Sequence, residues 1–79
     1  MSRREDDTEN IRLWVLNDEG LYNSARDYMK NRRTTIRAPY RNWIYRAGLE
    51  GAHTPDGTRY DSHNLDYRAL NEMMWELWA

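Results

Sequence analysis

The chain contains no cysteine and no phenylalanine, and its 79 residues include only two prolines and four glycines. Without cysteine there is no disulfide framework, no Cys-ligated zinc, no iron–sulfur cluster and no thiol nucleophile, so the fold rests on packing alone. Aliphatic residues are scarce too. Leu, Ile and Val together number 11, a share typical of disordered chains, and the mean hydropathy is -1.13. Disorder, however, couples low hydrophobicity to high net charge, and here 12 basic and 13 acidic residues leave a net charge of -1. Four Trp and six Tyr make up part of the apolar deficit. The composition therefore points to one small folded domain with an aromatic core, of a size whose stability is marginal or supplemented by a partner.

Long apolar runs are also missing. The longest is Leu13-Trp14-Val15-Leu16, far short of the roughly 18 residues a membrane span needs. The first ten residues hold two Arg and four acids with no apolar stretch, so no signal peptide is expected and the cytoplasm is the expected location.

Four segments carry helical periodicity. Residues 1–7 are polar and are expected to form a flexible N-terminus, with residues 8–79 as the domain. Thr8 is a candidate cap for a first helix bearing Ile11, Trp14 and Val15 on one stripe and Leu13 and Leu16 beside it. Asn17-Asp18-Glu19-Gly20 stops it and caps a second helix over about 18–31, where Leu21, Ala25, Tyr28 and Met29 share a face. Ile36, Tyr40, Trp43, Ile44 and Ala47 form a third stripe. Pro39 is tolerated only in a first helical turn, which places the start between Thr35 and Pro39 and the end at Gly48. Thr54-Pro55-Asp56-Gly57-Thr58 is a turn signal, compatible with a small hairpin pairing residues near 52–54 with 58–60. Asn64 or Asp66 caps a fourth helix carrying Leu70, Met73, Met74, Leu77 and Trp78.

The expected architecture is a mostly α, compact domain of three to four helices, with the Pro-Asp-Gly loop or small hairpin projecting between the third and fourth. The expected core is Leu13, Trp14, Leu21, Tyr28, Tyr40, Trp43, Ile44, Leu70, Met73, Met74 and Leu77.

Net charge conceals a segregation. Residues 1–19 sum to -3, residues 20–49 to +6 and residues 50–79 to -4, so a basic middle lies between two acidic ends. Arginine outnumbers lysine eleven to one. Arginine pairs with carboxylate or phosphate through two parallel N–H bonds and stacks on rings, and here Tyr40, Trp43 and Tyr45 interleave with it. The candidate partner-binding residues are Arg26, Lys30, Arg33, Arg37, Arg41 and Arg46, with Trp78 as a terminal aromatic anchor for a partner or a homodimer. An acidic protein surface, alone or in a ribonucleoprotein, is the favoured partner. The alternative is a nucleic-acid-binding module that sets the same arginines on phosphates.

His53 and His63 bracket the turn, and with Asp56 and Asp61 they carry the residue types of a metal or acid–base site. Their spacing matches no recurring ligand pattern, and no nucleophile motif or glycine-rich phosphate loop accompanies them. No enzyme activity, metal or cofactor is expected.

The segments Asn17-Asp18-Glu19-Gly20-Leu21-Tyr22, Thr54-Pro55-Asp56-Gly57 and Leu65-Asp66-Tyr67 followed by Leu70-Asn71-Glu72-Met73, with Leu13-Trp14 ahead of them, make the chain resemble an uncharacterised family of small proteins from bacteriophages and other mobile elements. The resemblance covers most of residues 8–77. It departs at the front, where relatives open with a Gly-Trp, Tyr-rich head and place a Trp at the position of Glu9. What it implies is context: a phage-encoded accessory protein acting in the host cytoplasm by binding a host complex, with an anti-restriction or anti-CRISPR inhibitor as one such role.

Overall fold

Asp18 ends one helix and starts the next. Its backbone N–H closes the last turn of α1 (Arg3–Asn17) on the Trp14 carbonyl at 2.9 Å, and its carboxylate accepts the Leu21 N–H of α2 (Glu19–Lys30) at 3.0 Å. A side-chain acceptor at this position satisfies one of the donors that every helix start leaves open. The computed structural model describes residues 3–31 and 37–78, with the side chains of residues 3–5 and 78 outside that description. The chain is a compact, mostly α globule, with four helices among the described residues; α3 (Pro39–Arg46) and α4 (Tyr67–Trp78) complete the set. None of these helices is long and apolar enough to cross a membrane.

α2 packs chiefly on α4 and α1, and α3 packs on α4. Their shared interior holds Ile11 and Val15 of α1, Ala25 and Met29 of α2, Tyr40, Trp43 and Ile44 of α3, and Leu70, Met73, Met74 and Leu77 of α4. Tyr60 and Leu65, from the segment between α3 and α4, join them. The expected core thus holds for α3 and α4 and is corrected on α1 and α2. Leu13 is 50% exposed, Trp14 is half-buried at the edge, and Leu21 and Tyr28 are partly buried against the core.

α1 begins at Arg3, so Thr8 lies inside it instead of capping it. The Thr8 side chain is buried, and its hydroxyl oxygen accepts the Asp66 N–H at 2.8 Å. Asp66 itself caps α4 by accepting the Ala69 N–H at 3.2 Å.

The loop between α3 and α4 does not project; it folds back on α1. Thr54 is fully buried, and its hydroxyl oxygen accepts the N–H of Thr58 at 3.2 Å across the turn. The Asn10 amide of α1 donates to the hydroxyls of Thr58 at 2.9 Å and Thr54 at 3.4 Å, and one turn later the Trp14 indole donates to Asp56 at 3.3 Å. The expected hairpin is present as one antiparallel bridge, His53 with Arg59, flanked by Thr54 N–H to Thr58 C=O at 2.8 Å and Tyr60 N–H to Ala52 C=O at 3.0 Å.

Candidate functional site

α3 is only eight residues long, and an isolated helix of that length is unstable in water. Three contacts hold it. Pro39 occupies its first turn, where a missing N–H is harmless. Ala38 offers no capping side chain, and Asn71 of α4 substitutes for it by accepting the Tyr40 N–H at 3.1 Å. At the other end Gly48 takes a positive φ of 74°. This lets the Leu49 N–H reach the Ile44 carbonyl at 2.9 Å and the Gly48 N–H reach that of Tyr45 at 3.3 Å, the paired bonds of a Schellman stop.

The inner face of α3 buries Tyr40, Trp43 and Ile44. The Tyr40 hydroxyl donates to the Tyr60 carbonyl at 2.8 Å and the Trp43 indole to the Ser24 hydroxyl at 3.0 Å. The outer face runs Arg41, Tyr45, Asn42, Arg46 across about 140° of helix circumference, and all four are exposed. Tyr45 is 69% exposed. The Arg41 guanidinium lies over the Tyr67 ring, 4.9 Å from its centre.

Of the residues proposed from sequence, Arg41 and Arg46 lie on this outer face and Arg37 lies two residues before α3; all three are exposed. Arg26 and Lys30 do not join them. Ser24 marks the flank of α2 that meets α3, and Arg26 and Lys30 lie about 200° and 240° further round the helix. Arg26 is half-buried, and its Nε is enclosed without a hydrogen-bond partner among the described residues. Arg33 and the Trp78 side chain lie outside the described residues.

The ion pairs among the described residues are Arg12 with Glu9, Arg59 with Asp61 and Arg68 with Glu72. None of them uses a cation of the basic middle. Charge segregation therefore persists in three dimensions: a groove of about 300 Å³ between α1 and α4 is lined by Glu9, Asp66, Glu72 and Glu76, with Arg12 as its cation.

Below Arg41 opens a pocket of about 450 Å³ between α3, the loop and α4. The buried Tyr40, Ile44 and Tyr60 back it, the half-buried Tyr67 ring offers apolar surface, and Glu50, Arg59, Asp61, Ser62 and His63 contribute polar groups. Burial pushes the Tyr40 phenol far above its ordinary value, with the nearby Tyr67, Tyr60 and Asp61 adding to the effect. Burial pushes Tyr60 up as well. Burial also acts to raise Asp61, but the Arg59 guanidinium at 3.1 Å and the Gly51 N–H at 3.1 Å hold its carboxyl below the usual range.

This pocket escaped the reading of the sequence. Arg41 and Tyr67 are far apart in the chain, and no local pattern links them. The histidines do not converge on a common site: His53 Nδ1 lies 3.0 Å from the Thr54 carbonyl, and His63 is exposed on the pocket rim. No group of three or more His, Asp or Glu side chains that could hold a metal ion is present among the described residues.

The chain belongs to DUF7249, a family of unknown function whose profile matches residues 3–79. No curated protein and no solved structure matches it.

Proposed function

We propose that this member of the DUF7249 family is a non-enzymatic interaction protein that docks the outer face of α3 on an acidic surface of a partner protein. The observation that carries this reading is the state of its cations. Arg37, Arg41 and Arg46 are exposed and take part in no ion pair among the described residues, and α3 itself carries no acid. Arginine and tyrosine dominate interface hot spots, because each combines a large contact area with directed polar groups. The order Arg41, Tyr45, Asn42, Arg46 is such a set on a rigid helix.

The face is also small. Eight helical residues span about 12 Å, a short track for an extended polyanion. A compact acidic patch on a protein suits it better than a nucleic-acid backbone. The resemblance to phage and mobile-element proteins supports a host complex as the partner, with restriction or CRISPR effectors as the first candidates for an anti-defence role.

The test is affinity capture from a nuclease-treated host lysate with the wild-type chain and with Arg37→Glu/Arg46→Glu. A stoichiometric protein held by the wild type and lost by the variant supports docking through this face. Retention of every partner by the variant overturns it. Partners that vanish on nuclease treatment, with affinity falling steeply in log[salt], would move the arginines onto phosphates.

A further inference from the structure

We propose that the pocket below Arg41 is a binding site for an acidic segment of the docking partner, in which a Glu or Asp carboxylate pairs with Arg41 and an adjacent aromatic or aliphatic side chain packs against the half-buried Tyr67 ring. This rests on the docking role proposed for α3 and specifies what the partner must present.

The volume, about 450 Å³, lies within the range of pockets that bind small ligands and short chain segments. Its walls are fixed before any ligand arrives. The Tyr40 and Tyr67 hydroxyls are engaged by the Tyr60 and Ser62 carbonyls at 2.8 and 2.6 Å, and the loop behind them is pinned to α1 through Thr54, Asn10 and Trp14. Preorganised walls lower the ordering cost of binding.

The charges on the lining select the ligand. Arg59 and Asp61 satisfy each other at 3.1 Å. Arg41 forms no ion pair among the described residues, and its guanidinium lies over the Tyr67 ring. Stacking on a ring leaves the guanidinium edge free to bind a carboxylate through two parallel N–H bonds. Glu50 and Asp61 also line the pocket, so a doubly charged phosphate meets two carboxylates where a single carboxylate meets less repulsion. The half-buried Tyr67 ring then favours a hydrophobic neighbour beside the acid.

The experiment is a heteronuclear NMR titration of the full chain with acetyl-Ala-Glu-Tyr-Ala-amide, its Gln counterpart and inorganic phosphate. It is repeated on Arg41→Gln, Arg41→Lys and Arg37→Glu/Arg46→Glu. The expected result is saturable shifts at the Arg41 side chain, the Tyr67 ring and residues 60–64 with the Glu peptide. Affinity should be about tenfold weaker for the Gln peptide and for Arg41→Gln, and intermediate for Arg41→Lys, which keeps the charge and loses the two-pronged bond. Arg41 is exposed and outside any ion pair among the described residues, so its variants should keep the wild-type spectrum away from the pocket.

Equal binding of the Glu and Gln peptides, equal binding by Arg41→Gln, or phosphate binding as tightly as the Glu peptide overturns the proposal. Failure of the two ideas can be told apart. If the peptides fail while Arg37→Glu/Arg46→Glu still loses its partner, the pocket assignment falls and docking through α3 stands. If the peptides bind as expected while that variant keeps every partner, docking falls and a carboxylate site remains.

Discussion

The side-chain oxygen of Asn71 accepts the backbone N–H of Tyr40 at 3.1 Å, so α4 caps the helix that carries the candidate docking face. Residue 38, the natural position for a cap, is alanine. The geometry of the arginines on α3 therefore depends on a residue of another helix.

Asn71→Ala should cost about 1 kcal/mol, as lost caps do, and lower the melting temperature by about 4–8 °C in a domain of this size. Asn71→Asp keeps the acceptor and places an anion at the helix start, which should restore most of the loss. Thermal unfolding followed by circular dichroism compares the three chains.

Trp43 is buried, with its indole on Ser24, whereas Leu13 is 50% exposed. Trp43→Ala should destabilise by about 3–5 kcal/mol, most of the stability such a domain has. Leu13→Ala should stay within about 0.5 kcal/mol of the wild type. Urea titration of both variants reads the contrast, and a large loss for Leu13→Ala would place that side chain in the core.

Thr54→Val preserves shape and removes the buried oxygen that accepts the Thr58 N–H. A buried donor left without its partner should cost about 1–3 kcal/mol. Amide exchange at Thr58 should accelerate in the variant more than exchange within α4.

The Tyr40 phenol titrates far above its ordinary value because it is buried. The neutral phenol is then favoured in the folded state, so this stabilisation is whole below about pH 10 and is lost as the pH rises beyond it. Tyr40→Phe removes one titrating group and should flatten the fall in stability at high pH, leaving the smaller part due to Tyr60. Chemical unfolding at a series of alkaline pH values measures both slopes.

Asp61 behaves in the opposite sense. Its carboxyl is held below the usual range by Arg59 and Gly51, so its stabilisation is present above about pH 4 and is lost as the pH falls through its lowered value. The stability gap between the wild type and Asp61→Asn should close on acidification. A gap that persists well below pH 4 would show that charge is not its origin.

Local chemistry determined much of this protein from sequence alone. Asp18, Pro39, Gly48 and Asp66 mark helix boundaries because each supplies a cap or a dihedral that its position demands, and they do so without reference to the rest of the chain. The stripes of α3 and α4 are narrow, so their inward faces were legible too. α1 was different: Ile11, Leu13, Trp14, Val15 and Leu16 leave apolar residues on most of its sides, and periodicity cannot rank them. Packing against α2 and α4 chose Ile11 and Val15 and left Leu13 in water. Charge segregation along the chain was likewise visible, but which cations lack an acid partner depends on distances between elements. Arg41 over Tyr67, Asn71 beneath Tyr40 and the pocket they border join residues far apart in sequence, and only the tertiary fold brings them within reach of one another.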